Sequence, residues 1–244
     1  MVEVDRLHKS FQEEAPPVLK DVTFSVPKSG SLAIVGPSGC GKTTLLYILS
    51  GLLAPSSGSV RVNDWKATKP SGKTGFILQD FGLLPWRTVW ENICLGMKIQ
   101  GMDKTTRTAK AERVLGELGL LAHKDRFPGS LSGGEKQRIA IGRALATDPE
   151  LLLMDEPFSS LDALTRETLQ NTLADIWIRQ GLTMVLVTHS IEEAVFLGQT
   201  IMVMSSRPGS VKAIVENRNA GLAGFRDDES FYRTCKQVRR LLES

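Results

Sequence analysis

At 244 residues, with 41% hydrophobic and 23% charged side chains, the chain has the composition of an ordinary globular protein, which excludes fibrous, collagen-like and disordered classes. Its 30 Lys and Arg against 27 Asp and Glu leave a net charge of +3, scattered without the runs that mark a nucleic-acid arm, so no nucleic-acid partner is expected. Apolar stretches such as Leu151–Met154 and Met184–Val187 fall far short of the roughly 18 to 20 residues that cross a bilayer. Three widely spaced cysteines, Cys40, Cys94 and Cys235, lack metal-ligand spacing and are expected as reduced thiols. Residues 1–10 alternate polar and apolar, as in Val2, Val4 and Arg6, and show no charged-then-apolar leader, so the expected site of action is the cytoplasm.

In chain order, the alternation Val22, Phe24, Val26 predicts a strand, followed by a second, Ser31–Val35, that runs into a glycine-rich turn. A helix is predicted from near Lys42, with Leu45, Leu46, Ile48 and Leu49 on its apolar face and Gly51 as its C-terminal cap. Residues 60–80 read as short strands. Residues 88–146 read as a helical insert, with Val114, Leu115 and Leu118 at helix spacing and Gly119 as a breaker. Two buried-type strands, Leu151–Met154 and Thr183–Val187, then flank a helix from about Asp162 to Arg179, the rhythm of a parallel sheet. Residues 229–242 form a terminal helix in this reading, with Phe231, Val238 and Leu241 available for packing. No internal repeat, low-complexity tract or linker stands out.

Residues 36–43 read GPSGCGKT, the P-loop pattern in its required setting of apolar strand before and helix after. In such a loop the backbone of Gly36, Pro37, Ser38, Gly39, Cys40 and Gly41 wraps phosphate, Lys42 reaches the β and γ phosphates, Thr43 offers Mg²⁺ its hydroxyl, and Thr44 continues the helix N-terminus. A second cluster, Leu151 to Glu156, delivers two adjacent carboxylates to the carboxyl edge of the sheet. Asp155 is assigned to the metal and Glu156 to polarising the attacking water as general base. A third segment, Leu131-Ser132-Gly133-Gly134-Glu135, opens an apolar helix. Ser132 is its N-cap, Glu135 completes a capping box, and the glycines leave backbone N–H groups uncovered for an anion.

LSGGE, standing between the P-loop and the paired acids, resembles the signature of the ABC transporter ATPases, and the resemblance runs from Val2 to about Gly209. It implies an α/β fold: a P-loop NTPase core with a mixed or parallel sheet, an N-terminal antiparallel β subdomain and an inserted helical subdomain. Residues 1–244 would form one such domain, with 1–85 and 147–210 as the nucleotide-binding core, 86–146 as the helical subdomain and 211–244 as a tail. The resemblance extends to Gln79, expected to complete the magnesium shell and sense a membrane subunit, and to Asp162, expected to couple two sites across a dimer. It gives His189 a contact to the γ-phosphate and attacking water, and it places Phe11 as the ring stacked on adenine, the alternative for Phe11 being a core residue of an edge strand.

What the resemblance implies in turn is a head-to-tail homodimer, with ATP between Lys42 of one copy and Ser132, Gly133 and Gly134 of the other. The pair would lie on the cytoplasmic face of a membrane beneath separate permease subunits, served indirectly by a substrate-binding protein. The apolar segment 81–90, with Trp86 and Trp90, is expected to meet the permease, with Leu84 and Trp90 as the residues best suited to core packing instead. Residues 79–86 and Arg207-Pro208-Gly209 are similar to ATPases of the nitrate, sulfonate and taurine importers, although Glu135 departs from the methionine expected there. About 35 residues after Gly209 are too few for the regulatory domain of sugar importers. An exporter ATPase, an ABC ATPase without transport and a P-loop kinase are the alternatives. His8 and His123 are expected at the surface, and Cys40 is expected to be reactive until nucleotide covers it.

Overall fold

The computed structural model describes residues 2–12, 15–63 and 65–244; Met1, the first residue of the alternating segment, lies outside them. In chain order the chain begins with β1 (Val2–Lys9), β2 (Leu19–Val26), β3 (Ser31–Val35), α1 (Lys42–Leu49), β4 (Ser57–Val62), β5 (Trp65–Lys66) and β6 (Thr74–Ile77). Strands β2, β1, β4 and β5, in that order, form an antiparallel sheet. The expected alternation breaks in β1. Val2 and Val4 face inward, but Arg6 has φ 43° and Leu7 takes the next inward place, with a register shift between Val4 and Leu7. This is a β-bulge, and a glycine makes it possible: at Gly58 (φ 84°) on β4, a Cβ would lie 2.3 Å from the Arg6 carbonyl oxygen.

The insert follows as α2 (Val89–Ile99), α3 (Lys104–Glu117) and α4 (Gly133–Leu145), with short 3-10 turns at Leu121–His123 and Pro128–Ser130. Each helix starts on a side-chain cap: Thr88 and Ser132 within complete capping boxes, and Asp103 accepting from the Thr106 N–H. Helix α4 crosses its neighbours closely because Gly142 has no side chain. A Cβ there would stand 2.7 Å from the Ile93 Cδ1 and 2.9 Å from the Leu118 Cδ1.

The chain then supplies β7 (Leu151–Asp155), α5 (Ala163–Gln180), β8 (Thr183–Val187), α6 (Ile191–Leu197), β9 (Thr200–Met204), β10 (Val211–Glu216) and α7 (Glu229–Glu243). The second sheet runs β10-β9-β3-β8-β7-β6, parallel except for the edge strand β10. Strands β3, β7 and β8 are buried at every position, which requires cover on both faces. Alternate residues feed two cores. Ala33, Leu152, Met154, Met184 and Leu186 join the side carrying the insert, α5, α6 and α7. Leu32, Ile34, Leu151, Leu153, Val185 and Val187 join the side carrying α1 and the antiparallel sheet. The terminal helix packs as read, with Phe231 and Val238 buried and Leu241 against the core. Among the described residues, no helix is long and apolar enough to cross a membrane.

Candidate functional site

Strand β3 ends at Val35 and α1 begins at Lys42, so 36–41 must reverse direction within a few residues. Two left-handed glycines make the reversal, Gly39 at φ 75° and Gly41 at φ 101°, conformations that other residues adopt only at a cost of roughly 1–2 kcal/mol. The ammonium of Lys42 is buried and donates to the carbonyls of Gly36 (2.8 Å) and Pro37 (2.9 Å), which curls the loop around it. The result is a cleft of about 280 Å³ at the N-terminus of α1, lined by Ser38, Gly39, Lys42, Thr43, Thr44 and Glu156 among others. A ring of backbone N–H groups with a helix N-terminus and one cation is suited to a polyphosphate.

The carboxylates arrive from β7. Asp155 is the last strand residue, 5% exposed; burial pushes its carboxyl above the usual range, opposed by a hydrogen bond with Thr43 and by the charge of Lys42. Glu156 sits at φ 47°, and this left-handed turn breaks the strand alternation that would send adjacent side chains to opposite faces. Its N–H is still tied to the Val187 carbonyl (2.9 Å). The Glu156 Oε2 then stands 3.2 Å from the His189 Nδ1 and accepts from the Gln79 amide at 3.4 Å. Gln79, Glu156 and His189, from three separate loops at the carboxyl edge of the sheet, therefore meet at one oxygen beside the phosphate loop.

The other expected site residues stand apart from this cleft. Ser132 caps α4 as expected, its hydroxyl accepting from the Glu135 N–H while the Glu135 carboxylate accepts from the Ser132 N–H at 2.7 Å. Gly134 lies against the first turn of α5, where a Cβ on it would sit 2.6 Å from the Thr165 Cγ2, and Gly133 lies near the loop after β7, where a Cβ would be 3.9 Å from the Ser160 carbonyl oxygen. Asp162 caps α5 by accepting from the Thr165 N–H. None of these four residues lines the cleft around Lys42. Phe11 is 63% exposed, its ring 5.1 Å from the Lys9 ammonium, so the edge-strand core alternative is overturned. Trp86 is 71% exposed; Trp90 packs partly against the core, but Leu83 rather than the expected Leu84 joins it there, Leu84 being half-buried outside that core.

Two expectations are corrected. Cys40 is 1% exposed, buried by the protein itself, and burial pushes its thiol pKa up despite the Lys42 charge, so the reactive thiol is replaced by a buried apolar one. His123 is not a free surface residue: its Nε2 stands 3.2 Å from the Glu135 Oε1 with only a quarter of the side chain exposed. Two further residues shape the site without having been singled out for it. Glu193 on α6 is buried and accepts from the Thr188 hydroxyl directly before His189. Gly209 presses on the phosphate loop from behind, where a Cβ would fall 2.0 Å from the Cys40 carbonyl oxygen. The sequence carried a signal for each, Ser190 to Glu193 as a capping pattern and 207–209 as a Pro-Gly turn, but neither pattern tells what the residue touches.

Comparison with known proteins identifies the family. The sequence profile described as ABC transporter matches residues 19–159. An uncharacterised ABC transporter ATP-binding protein of Methanocaldococcus jannaschii is 42% identical over 217 residues, 88% of this chain and 81% of that protein. A taurine import ATP-binding protein of Pseudomonas aeruginosa is 43% identical across 80% of this chain and 74% of its own length, and one of Rhizobium johnstonii is 45% identical with the same coverage. A dimeric ATP-binding cassette solved in a post-hydrolysis state with ADP and Pi superposes with TM-score 0.78 at 32% identity, covering 88% of this chain and 98% of its own. With its phosphate loop, paired carboxylates and signature helix on this fold, the chain belongs to the ABC transporter family as an ATP-binding, ATP-hydrolysing cassette.

Proposed function

We propose that this chain is the ATPase subunit of an ABC importer, working as a head-to-tail homodimer on the cytoplasmic face of a membrane, beneath permease subunits fed by a substrate-binding protein. The observation that carries the dimer is the division of the site: the cleft around Lys42 contains no residue of the signature helix. A second copy supplies Ser132, Gly133 and Gly134 to the far side of the nucleotide, and the two-fold axis makes two such sites. ATP then favours the closed pair because only that state offers both sets of phosphate donors. The dimeric neighbour and the taurine import relatives support this reading, and they favour a small sulfonate such as taurine as cargo. Exposed Trp86, in the apolar segment that follows Gln79 along the chain, is the surface offered to the permease.

Within the site, Lys42 binds the β and γ phosphates, and Phe11 offers its exposed face to adenine. Glu156 takes the proton of the attacking water, and His189 and Gln79 fix the orientation of that carboxylate. Asp155, the Thr43 hydroxyl and the Gln79 carbonyl are hard oxygen donors that fit Mg²⁺, and the buried Asp155 carboxyl gains a counter-charge from it. When bound, Mg²⁺ neutralises phosphate charge. Asp162, one turn from the Gly134 contact at Thr165, passes the state of one site to the other.

The test is the mass of Glu156→Gln on a sizing column with light scattering, with ATP and Mg²⁺, beside Ser132→Arg in the same background. The expected result is a rise from the 26.7 kDa monomer to twice that mass, abolished by Ser132→Arg. Full ATPase turnover by a wild-type protein that stays monomeric overturns the reading.

A further inference from the structure

The capping box at the start of α4 uses one oxygen of Glu135 for the Ser132 N–H. Its other oxygen faces the Nε2 of His123 at 3.2 Å. The remaining ring nitrogen, His123 Nδ1, is buried without a partner. A carboxylate oxygen only accepts, so the Nε2 that faces it carries the hydrogen and donates. The Glu135 carboxyl has its pKa held down chiefly by the Ser132 N–H, against the opposing effect of burial, so it faces the ring as an acceptor.

The backbone carrying this ring is itself fixed elsewhere. The N–H groups of Val89 and Trp90, in the first turn of α2, donate to the carbonyls of Arg126 and Lys124, each at 2.8 Å. The Arg126 N–H returns to the His123 carbonyl at 2.9 Å. A continuous chain of hydrogen bonds therefore leads from the turn following the exposed Trp86, through 123–126, to Glu135 and Ser132.

We propose that His123 is a positioning residue for the signature helix: its Nε2–H holds Glu135, so the Ser132 hydroxyl and the N–H groups of Gly133 and Gly134 take their place from the loop docked on α2. This rests on the composite site proposed above, because the step His123 serves is capture of the partner's nucleotide. His123 touches no nucleotide, and binding of ATP to Lys42 of the same chain does not depend on it.

The experiment uses the full chain in the Glu156→Gln background and compares His123→Leu, which fills the space without a donor, with His123→Gln, which retains one. ATP binding to dilute monomer is followed with a fluorescent ATP analogue, and dimer formation by light scattering over graded ATP with Mg²⁺. Loss of a hydrogen bond to a charged group predicts that His123→Leu needs roughly 10-fold more ATP for half-maximal dimer, with analogue binding within about 2-fold of the parent and most of the loss recovered in His123→Gln. Unchanged dimerisation in His123→Leu overturns the proposal. So does equal loss in both variants, or equal loss of analogue binding, since either makes the residue a packing element alone. Ser132→Arg is the control: if it leaves ATP-driven dimerisation intact, the composite-site reading has failed instead.

Discussion

Replacing Glu193 by Gln should stabilise the protein at alkaline pH and barely change it at acidic pH. Glu193 is 4% exposed; its Oε2 accepts from the Thr188 hydroxyl, and its Oε1 is buried without a partner. Burial pushes its pKa from 4.5 to about 7, against the pull of Thr188 and Arg166 and with a smaller push from Glu156. The folded state thus keeps a proton that the unfolded chain releases above pH 4.5. Stability contributed by the protonated acid is full below that pH and is lost as pH rises through about 7. At about 1.4 kcal/mol per pH unit, the gap between Glu193→Gln and the parent widens by about 2 to 3 kcal/mol between pH 5 and pH 8. For a chain of this size that is roughly 4 to 12 °C in Tm. Thermal unfolding of both proteins at the two pH values reads it directly. A Tm difference that is the same at pH 5 and pH 8 would refute the assignment of a protonated carboxyl under the Thr188–His189 turn.

Gly209→Ala places a Cβ against the Cys40 carbonyl and should cost about 1 to 3 kcal/mol of stability; because it displaces the phosphate loop, ATP affinity measured by nucleotide titration falls at least several-fold, and undiminished affinity would contradict the contact. Asn92 is fully buried, accepting from the Leu84 N–H and donating to the Leu84, Arg87 and Thr88 carbonyls. Asn92→Ala should therefore lower stability by about 2 kcal/mol or more and speed proteolysis selectively within 81–88, which mass mapping of early fragments checks. Cys40, buried and with its pKa raised, should react with a maleimide no faster without ATP than with it; intact-mass spectrometry that finds Cys40 labelled first in the native protein would restore the reactive thiol.

What was legible in the sequence was what is written locally. The P-loop, the S-x-x-E cap at Ser132, the glycine stops at Gly51 and Gly119 and the uniformly apolar strands each encode their structure within a few residues, and each appears where it was expected; the like cap at Thr88 was equally local but was not singled out. Residues whose role depends on a distant partner were not legible. Nothing near His123 points to Glu135, and nothing near Gly209 points to Cys40, because those contacts arise only when the sheets close. Glu193 was obscured by a local signal: Ser190 to Glu193 reads as a capping box, and the Ser190 hydroxyl does accept from the Glu193 N–H. The Glu193 carboxylate, however, turns inward to Thr188 rather than back to the Ser190 N–H. In β1 the period-2 pattern gave the strand but not the bulge at Arg6, whose cause, Gly58, lies on another strand.

The order of the parallel sheet has a consequence in time. Strand β3 lies between β8 and β9, Ser31 pairing with Met184 and Leu32 with Thr200. About 150 residues therefore separate the first half of this pairing from the second. At about 5 to 20 residues per second of synthesis, an apolar strand and the phosphate loop it leads into wait roughly 8 to 30 s on the ribosome for their neighbours. The antiparallel sheet, whose strands all lie within 2–66, can assemble in that interval and shelter one face of β3, but the other face closes only when β8 and β9 have been made. Chains released before Met204 should accordingly accumulate as insoluble protein, and the step that commits this molecule to its fold belongs to its last quarter.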